Sequence, residues 1–567
     1  MKKSIIALFA LSGSLTALGQ SVSGGNITGN MEATFQYLNP DSLIGATQPP
    51  SKGLLNSYMN VFYTNGNFKA GARFESYLPR IQGYPNRFDG TGLGMRYVGY
   101  ANDYVDITLG NFYEQFGSGM IFRAYEDRNL GYDNAMDGAR IILTPMKGLK
   151  VKAVYGNQRF SFQNGSVIKS AGLTRGIDAS LHLNSYFPAL DSIGLDINVG
   201  GSFVSKYQVD DNESYVLPEN VGAYGGRLDI RYGKYFFNAE YIMKENDPSA
   251  DNNFIYNNGH AAIANFTYSR KGLGIIVSAK SVDNMSFRSD RNASLQDLFV
   301  NYLPALNRTH TYNLVATLYP YATQPLGEIA YQATLQYKIK SGTKLGGKYG
   351  IPIDINYSTA YLPIRHYSGI NPNDSSRVMY ESKPFDMSDS LLWHDFNVMI
   401  TYKFNKNFYI NASYYNISLN NDVGKVTGDA HGIINTNIAV AEFNYKFNKK
   451  HSMRMELQGL FTEKVHKLDN QGNTKLAGND KGNWATVVLE YNISPHWFFG
   501  FMDQYNYGNV NENMRLHYAI GSVGWIKDAT RLSVNFGKQR AGLFCVGGVC
   551  RFVPASSGLT VSFTQSF

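Results

Sequence analysis

Gly558-Leu-Thr-Val-Ser-Phe-Thr-Gln-Ser-Phe567 is the last stretch of the chain, and its reading decides the fold. Leu559, Val561, Phe563 and Phe567 fall on one face and Thr560, Ser562, Thr564 and Ser566 on the other. Successive side chains of a strand point to opposite faces, so the segment offers one side to lipid and the other to water. That pattern predicts a transmembrane β-barrel whose closing strand ends on an aromatic residue.

Working back from the end, the same alternation recurs. Phe396, Val398, Ile400, Tyr402 and Phe404 share a face opposite Asn397, Met399, Thr401 and Lys403, and the polar turn Asn405-Lys406-Asn407 follows. The next strand repeats the face with Phe408, Ile410, Ala412 and Tyr414. Ala441, Phe443, Tyr445 and Phe447 oppose Glu442, Asn444 and Lys446 before Asn448-Lys449-Lys450. Each strand ends in an aromatic beside a short turn, as an interfacial girdle requires.

Further short turns are expected at Asn65-Gly66-Asn67, Asn102-Asp103, Lys147-Gly148, Gly233-Lys234, Arg270-Lys271-Gly272, Ser494-Pro495 and Lys527-Asp528. Longer polar connections are expected between them, among them 117–137, 159–175, 283–308 and 367–391, with Pro304 to Pro325 read as part of a long loop rather than as a hairpin. Counted this way, the fold class is an all-β antiparallel barrel of about 24 strands, within about 22 to 26, and an even count puts both termini in the periplasm.

Composition agrees with that class. Aromatic residues make up 14% of the chain and charged residues 17%, and no stretch after Gly19 approaches the roughly 18 apolar residues of a membrane helix. Residues 1–19 pair Lys2 and Lys3 with a short apolar run and small residues at Ala17 and Gly19, which predicts a cleaved signal and a mature barrel over residues 20–567. The net charge of +8 is too diffuse over 567 residues to argue for nucleic acid. Alternating strands begin near Asn26, which leaves no space for a separate N-terminal plug domain.

A barrel of this girth has a wide interior that must be filled or left as a channel. The strongest internal candidate is the connection 117–140, which gathers Arg123, Glu126, Asp127, Arg128, Asp133, Asp137 and Arg140. Mixed charges of this kind fit a solvated outer loop; they also fit a loop folded into the lumen, paired with the wall and forming the constriction. A calcium site from Asp127, Asp133 and Asp137 lacks the ligand rhythm of a calcium loop, so no metal or cofactor is expected.

Cys545 and Cys550 are the two cysteines. A tight turn at Gly547-Gly548 sets them opposite each other, a spacing that allows a disulfide in an exported protein. This clip is expected at the barrel rim. Signs of catalysis are sparse: His366 and Ser368 share a strand face, as in a barrel lipase, but lie where the strand runs into a loop, and no nucleophile-elbow, zincin or phosphate-loop motif occurs. The chain is read as no enzyme.

GNFYEQFGSGMIFRAYEDRNLGYDNAMDG at 110–138, NYLPALNRTHTY at 301–312, YATQPLGE at 321–328, KLGGKYG at 344–350 and the final FCVGGVCRFVPASSGLTVSFTQSF resemble an uncharacterised family of Bacteroidota outer-membrane barrels. The resemblance spans nearly the whole mature chain and implies an outer-membrane location, with a role beside secretion or assembly systems as an association. The closing strand likewise resembles the signal read by the barrel-assembly machinery. The expected partners are therefore outer-membrane lipid, that machinery during biogenesis, and a protein docked at the loops or lumen. A transport barrel gated by an inward loop is the leading expectation, and a partner-binding barrel the alternative.

Overall fold

A computed structural model describes residues 21–22, 24–371, 374–420, 432–463, 466–468, 474–476, 482–546 and 549–567. The expected signal at residues 1–19 lies outside the described residues. The main sheet has 25 strands, one of them the two-residue Ser21–Val22 that pairs only with its neighbour, so 24 strands form the wall. Neighbours run antiparallel, from Gly25–Asn39 beside Gly53–Asn65 to Thr530–Gln539 beside Ser556–Ser566. Ser556–Ser566 then pairs back onto Gly25–Asn39, with Phe563 opposite Ala33 and Thr564 opposite Glu32. Phe567 completes the seam by exchanging two backbone hydrogen bonds of 2.9 Å with Gly29. The sheet closes on itself, so it has no free edge.

The outer face is apolar. Ile177, Phe203, Tyr224 and Met243 are register partners on four adjacent strands. Each is exposed, at 50%, 47%, 47% and 37% respectively, which is where lipid tails are the solvent. Near the short turns a belt of ring contacts runs from Tyr402 through Phe404, Phe408, Tyr445 and Phe447 to Tyr491, at centroid spacings of 4.7 to 6.2 Å. Among the described residues no helix is long and apolar enough to cross a membrane. A closed barrel with this belt is an outer-membrane barrel.

One expected loop is a strand pair instead. Residues 159–175 belong to the strands Leu149–Gln163 and Ser166–His182, which meet at Asn164-Gly165. Asn164 and Gly165 both have positive φ, 51° and 78°, as a two-residue hairpin turn demands. Within 367–391, His366–Asn371 pairs with Asp374–Glu381, and a wall strand already starts at Met387.

The dry core sits inside the barrel. Phe116, Met120, Ile121 and Phe122 pack in one cluster with Met285, Phe287, Val300 and Leu314, all fully buried. These residues come from two long connections, 113–135 and 284–326. Interior side chains of a wide barrel would otherwise face water, so the segments that carry this core are the lumen's filling.

Candidate functional site

The site is the filled lumen, and its polar half begins on the wall. Glu32, Arg73, Glu75 and Arg159 stand on strands whose alternate positions face inward. Between Glu114–Phe116 and the wall strand Met136–Met146 the chain makes two small hairpins, Glu114–Phe116 with Phe122–Ala124 and Glu126–Asp127 with Tyr132–Asp133. These deliver Glu126, Arg128 and Asp133 to the wall residues.

Arg73 donates from Nε to Glu75 at 2.7 Å, from Nη1 to Glu126 at 2.9 Å and from Nη2 to Asp133 at 2.8 Å. Arg159 reaches Asp133 at 2.9 Å and holds Glu75 through both oxygens, at 2.8 and 2.6 Å. Arg128 closes the chain, donating to Glu126 at 3.1 Å and to Glu32 at 2.7 Å. Tyr113 donates to Asp133 at 3.0 Å. Glu32, Arg128, Glu126, Arg73, Asp133, Arg159 and Glu75 thus form one continuous network. Burial pushes the Glu126 carboxyl above its ordinary range, and the Asp133 charge adds to the push.

Arg128 also lies over the Tyr58 ring, 4.3 Å from its centroid. Its pair with Glu32 stands between two lumenal cavities. One, of about 550 Å³, is bordered by Asn30, Phe62, Tyr97 and Ser566; the other, of about 460 Å³, by Thr34, Gln36, Asn313 and Arg540. Glu32 and Arg128 line both.

The remaining expected residues divide. Arg123 is sandwiched between the rings of Tyr125 and Tyr302, at 4.2 and 4.1 Å. Asp127 caps a turn, accepting from the Asn129 and Leu130 N–H groups. Arg140 is a wall residue facing inward, paired with Asp106 at 2.8 Å and Glu114 at 3.4 Å. Asp137 departs from the expected constriction. It lies on the wall strand Met136–Met146, one residue out of phase with inward Arg140 and Met136, and pairs on the outer side with Lys169 at 2.7 Å and Arg96 at 3.7 Å. The inward segment therefore ends at Ala135, and Asp127, Asp133 and Asp137 do not converge; among the described residues no three metal-ligating side chains do. His366 pairs with Asp386 at 3.3 Å at the surface, whereas the side chain of Ser368 lies outside the described residues.

Cys545 is opposite Cys550 in the register of Gly542–Val546 with Val549–Val553. The Cys545 side chain lies outside the described residues. This hairpin leaves the rim position expected of it and packs against the helix Asn313–Thr317 over the lumen, with Gly542, Leu543 and Val553 bordering the second cavity.

The connection 284–326 is the part the sequence reading missed. Its backbone clasps the other inward segment, Val300 O accepting from the Arg123 N–H at 2.8 Å and Gly119 O from Tyr302 at 2.9 Å. It then spans to the far wall, where His310 meets Asp395 at 2.7 Å, Tyr312 donates to Glu442 at 3.2 Å and Gln458 accepts from the Leu314 N–H at 3.0 Å. The signal lay in its apolar residues, Leu298 to Val300, Leu303, Leu306, Leu314, Val315 and Leu318, too many for a connection in water.

The chain belongs to a family of unknown function, DUF6029, whose model matches residues 1–567. No curated protein matches it. Among solved structures it is similar to the siderophore receptor PirA from Pseudomonas aeruginosa, at 9% identity and a TM-score of 0.39 over 95% of this chain and 80% of that one. It is likewise similar to the outer membrane transporter YddB from Escherichia coli, at 8% identity and 0.40 over 95% and 81%, and to the FrpB iron transporter from Neisseria meningitidis, at 10% and 0.36 over 98% and 84%. Likeness at that level says nothing of cargo.

Proposed function

We propose that this chain is a gated transport barrel of a Bacteroidota outer membrane, with its termini periplasmic and its long connections outside the cell. The observation that carries this reading is the Glu32–Arg128 pair between the two lumenal cavities. A barrel built only as a scaffold gains nothing from keeping two cavities that share a charged pair inside a packed lumen. One that passes solute needs such cavities and a removable barrier between them.

Liposome swelling tests the reading. Deleting Arg123–Asn134 behind a short glycine-serine link should let small sugars enter liposomes that exclude them when they carry the intact barrel. Equal exclusion by both would sink it. A second reading, a barrel that docks a protein partner, is supported by the apolar length of 284–326, and co-purification in mild detergent separates the two. Neither reading uses Ser368, so Ser368→Ala is expected to leave swelling and any lipase signal unchanged.

A further inference from the structure

The second cavity carries more positive charge than its walls neutralise. Arg128, Arg540 and Arg551 line it, and among the described residues Glu32 is its one carboxylate. That carboxylate is taken by Arg128. Asp127, the next acid near Arg551, has an oxygen already accepting from two backbone N–H groups.

Arg540 spends one nitrogen on Thr317 Oγ1 and another on Ala541 O at 3.3 Å. Its Nε, together with Nε and Nη1 of Arg551 and Nδ2 of Asn56, is buried with no hydrogen-bond partner among the described residues. Desolvated guanidiniums with unused donors are costly, and proteins offset that cost by pairing them with an anion. Burial with little compensating negative charge also pulls Arg540 down to about 10 and lowers Arg551. Arg128, by contrast, is held up by Glu126 and Glu32.

Arg540 stands two residues before the strand Gly542–Val546, and Arg551 lies on its partner strand Val549–Val553, opposite Phe544, so one hairpin carries both arginines to the cavity. At about 460 Å³ the cavity falls within the usual range for a small-molecule site. Planar guanidinium forks match the oxygens of carboxylates and phosphates.

We propose that this cavity is a binding site for a small oxyanion-bearing solute, its charged group held between Arg540 and Arg551. The site stands on its own observations and does not depend on whether the barrel conducts.

The test uses the full-length folded barrel in detergent, titrated with inorganic phosphate or with citrate against chloride at matched ionic strength. Tryptophan fluorescence provides a direct readout, because Trp484 lies 5.6 Å from the Arg540 guanidinium. Phosphate or citrate should change that emission saturably and raise the unfolding temperature. Tighter citrate would mark a carboxylate site and tighter phosphate a phosphate site. Arg540→Gln or Arg551→Gln should weaken binding by roughly tenfold or more, with Arg540→Lys retaining part of it.

Should the variants not fold, arginine modification by phenylglyoxal on the unaltered protein gives the same answer. Phosphate should protect Arg540 and Arg551 but not Arg270, which is exposed at a short turn. A response no different from chloride, or equal affinity in Arg540→Gln/Arg551→Gln, would overturn the proposal.

Discussion

Glu126 sits where four carboxylates, Glu32, Glu75, Glu126 and Asp133, meet three guanidiniums, Arg73, Arg128 and Arg159. One negative charge is in excess, and burial, with the Asp133 charge adding to it, raises the Glu126 pKa. The sign of the consequence follows. A carboxyl whose folded pKa exceeds its unfolded value binds more protons when folded, so its stabilisation is present at low pH and lost as pH rises through the raised value. The Glu126 contribution to the unfolding temperature should therefore fall as pH rises above the ordinary carboxylate range, and Glu126→Gln, compared with the unaltered barrel across that range, should remove this component and gain most at neutral pH. A slope unchanged in Glu126→Gln would count against this origin. Asp133 accepts from both Arg73 and Arg159, each of which keeps Glu75, so Asp133→Ala removes two buried hydrogen bonds and should cost about 1–3 kcal/mol, read as a lower unfolding temperature.

The wall strands were legible because a strand between lipid and water has no freedom in its alternation. The faces of Phe396–Phe404 and of Leu559–Phe567 were read correctly from period alone, and the Gly547-Gly548 spacing gave the Cys545–Cys550 register. What the lumen holds was harder to see. Inward segments carry mixed polar and apolar residues without a period, so 284–326 resembled an ordinary loop although its side chains form the core. Asp137 was misplaced because nothing in its neighbours marks where a loop becomes a wall strand. Residues 159–175, where the strands 149–163 and 166–182 meet, read as a loop because of polar residues such as Arg159, Gln163, Lys169 and Arg175, although Asn164-Gly165 is a strong hairpin signal. The seam supports a further prediction. Phe567 bonds Gly29 at the closing junction, so its deletion should leave protein that fails to insert, seen as loss of the heat-modifiable band on gels. Cys545→Ser should still insert, with faster proteolysis confined to the hairpin 542–553.

Taken as a whole, the molecule is a 24-stranded wall around a packed interior rather than around water. The two inward segments divide the work. The one from 284 to 326 supplies dry packing against the far wall, while 113–135 supplies the charged network against the first strands. Dry packing is hard to remove reversibly, whereas a charged contact beside two cavities breaks and re-forms at lower cost. The proposed barrier is Arg128 with Glu32, and single-channel recording in planar bilayers tests that proposal most directly. The intact barrel should be mostly silent, and Arg128→Ala should open discrete conducting steps at neutral pH, with Glu32→Ala doing the same more weakly because Arg128 keeps Glu126. Identical traces from the intact barrel and Arg128→Ala, both silent or both open, would contradict the account.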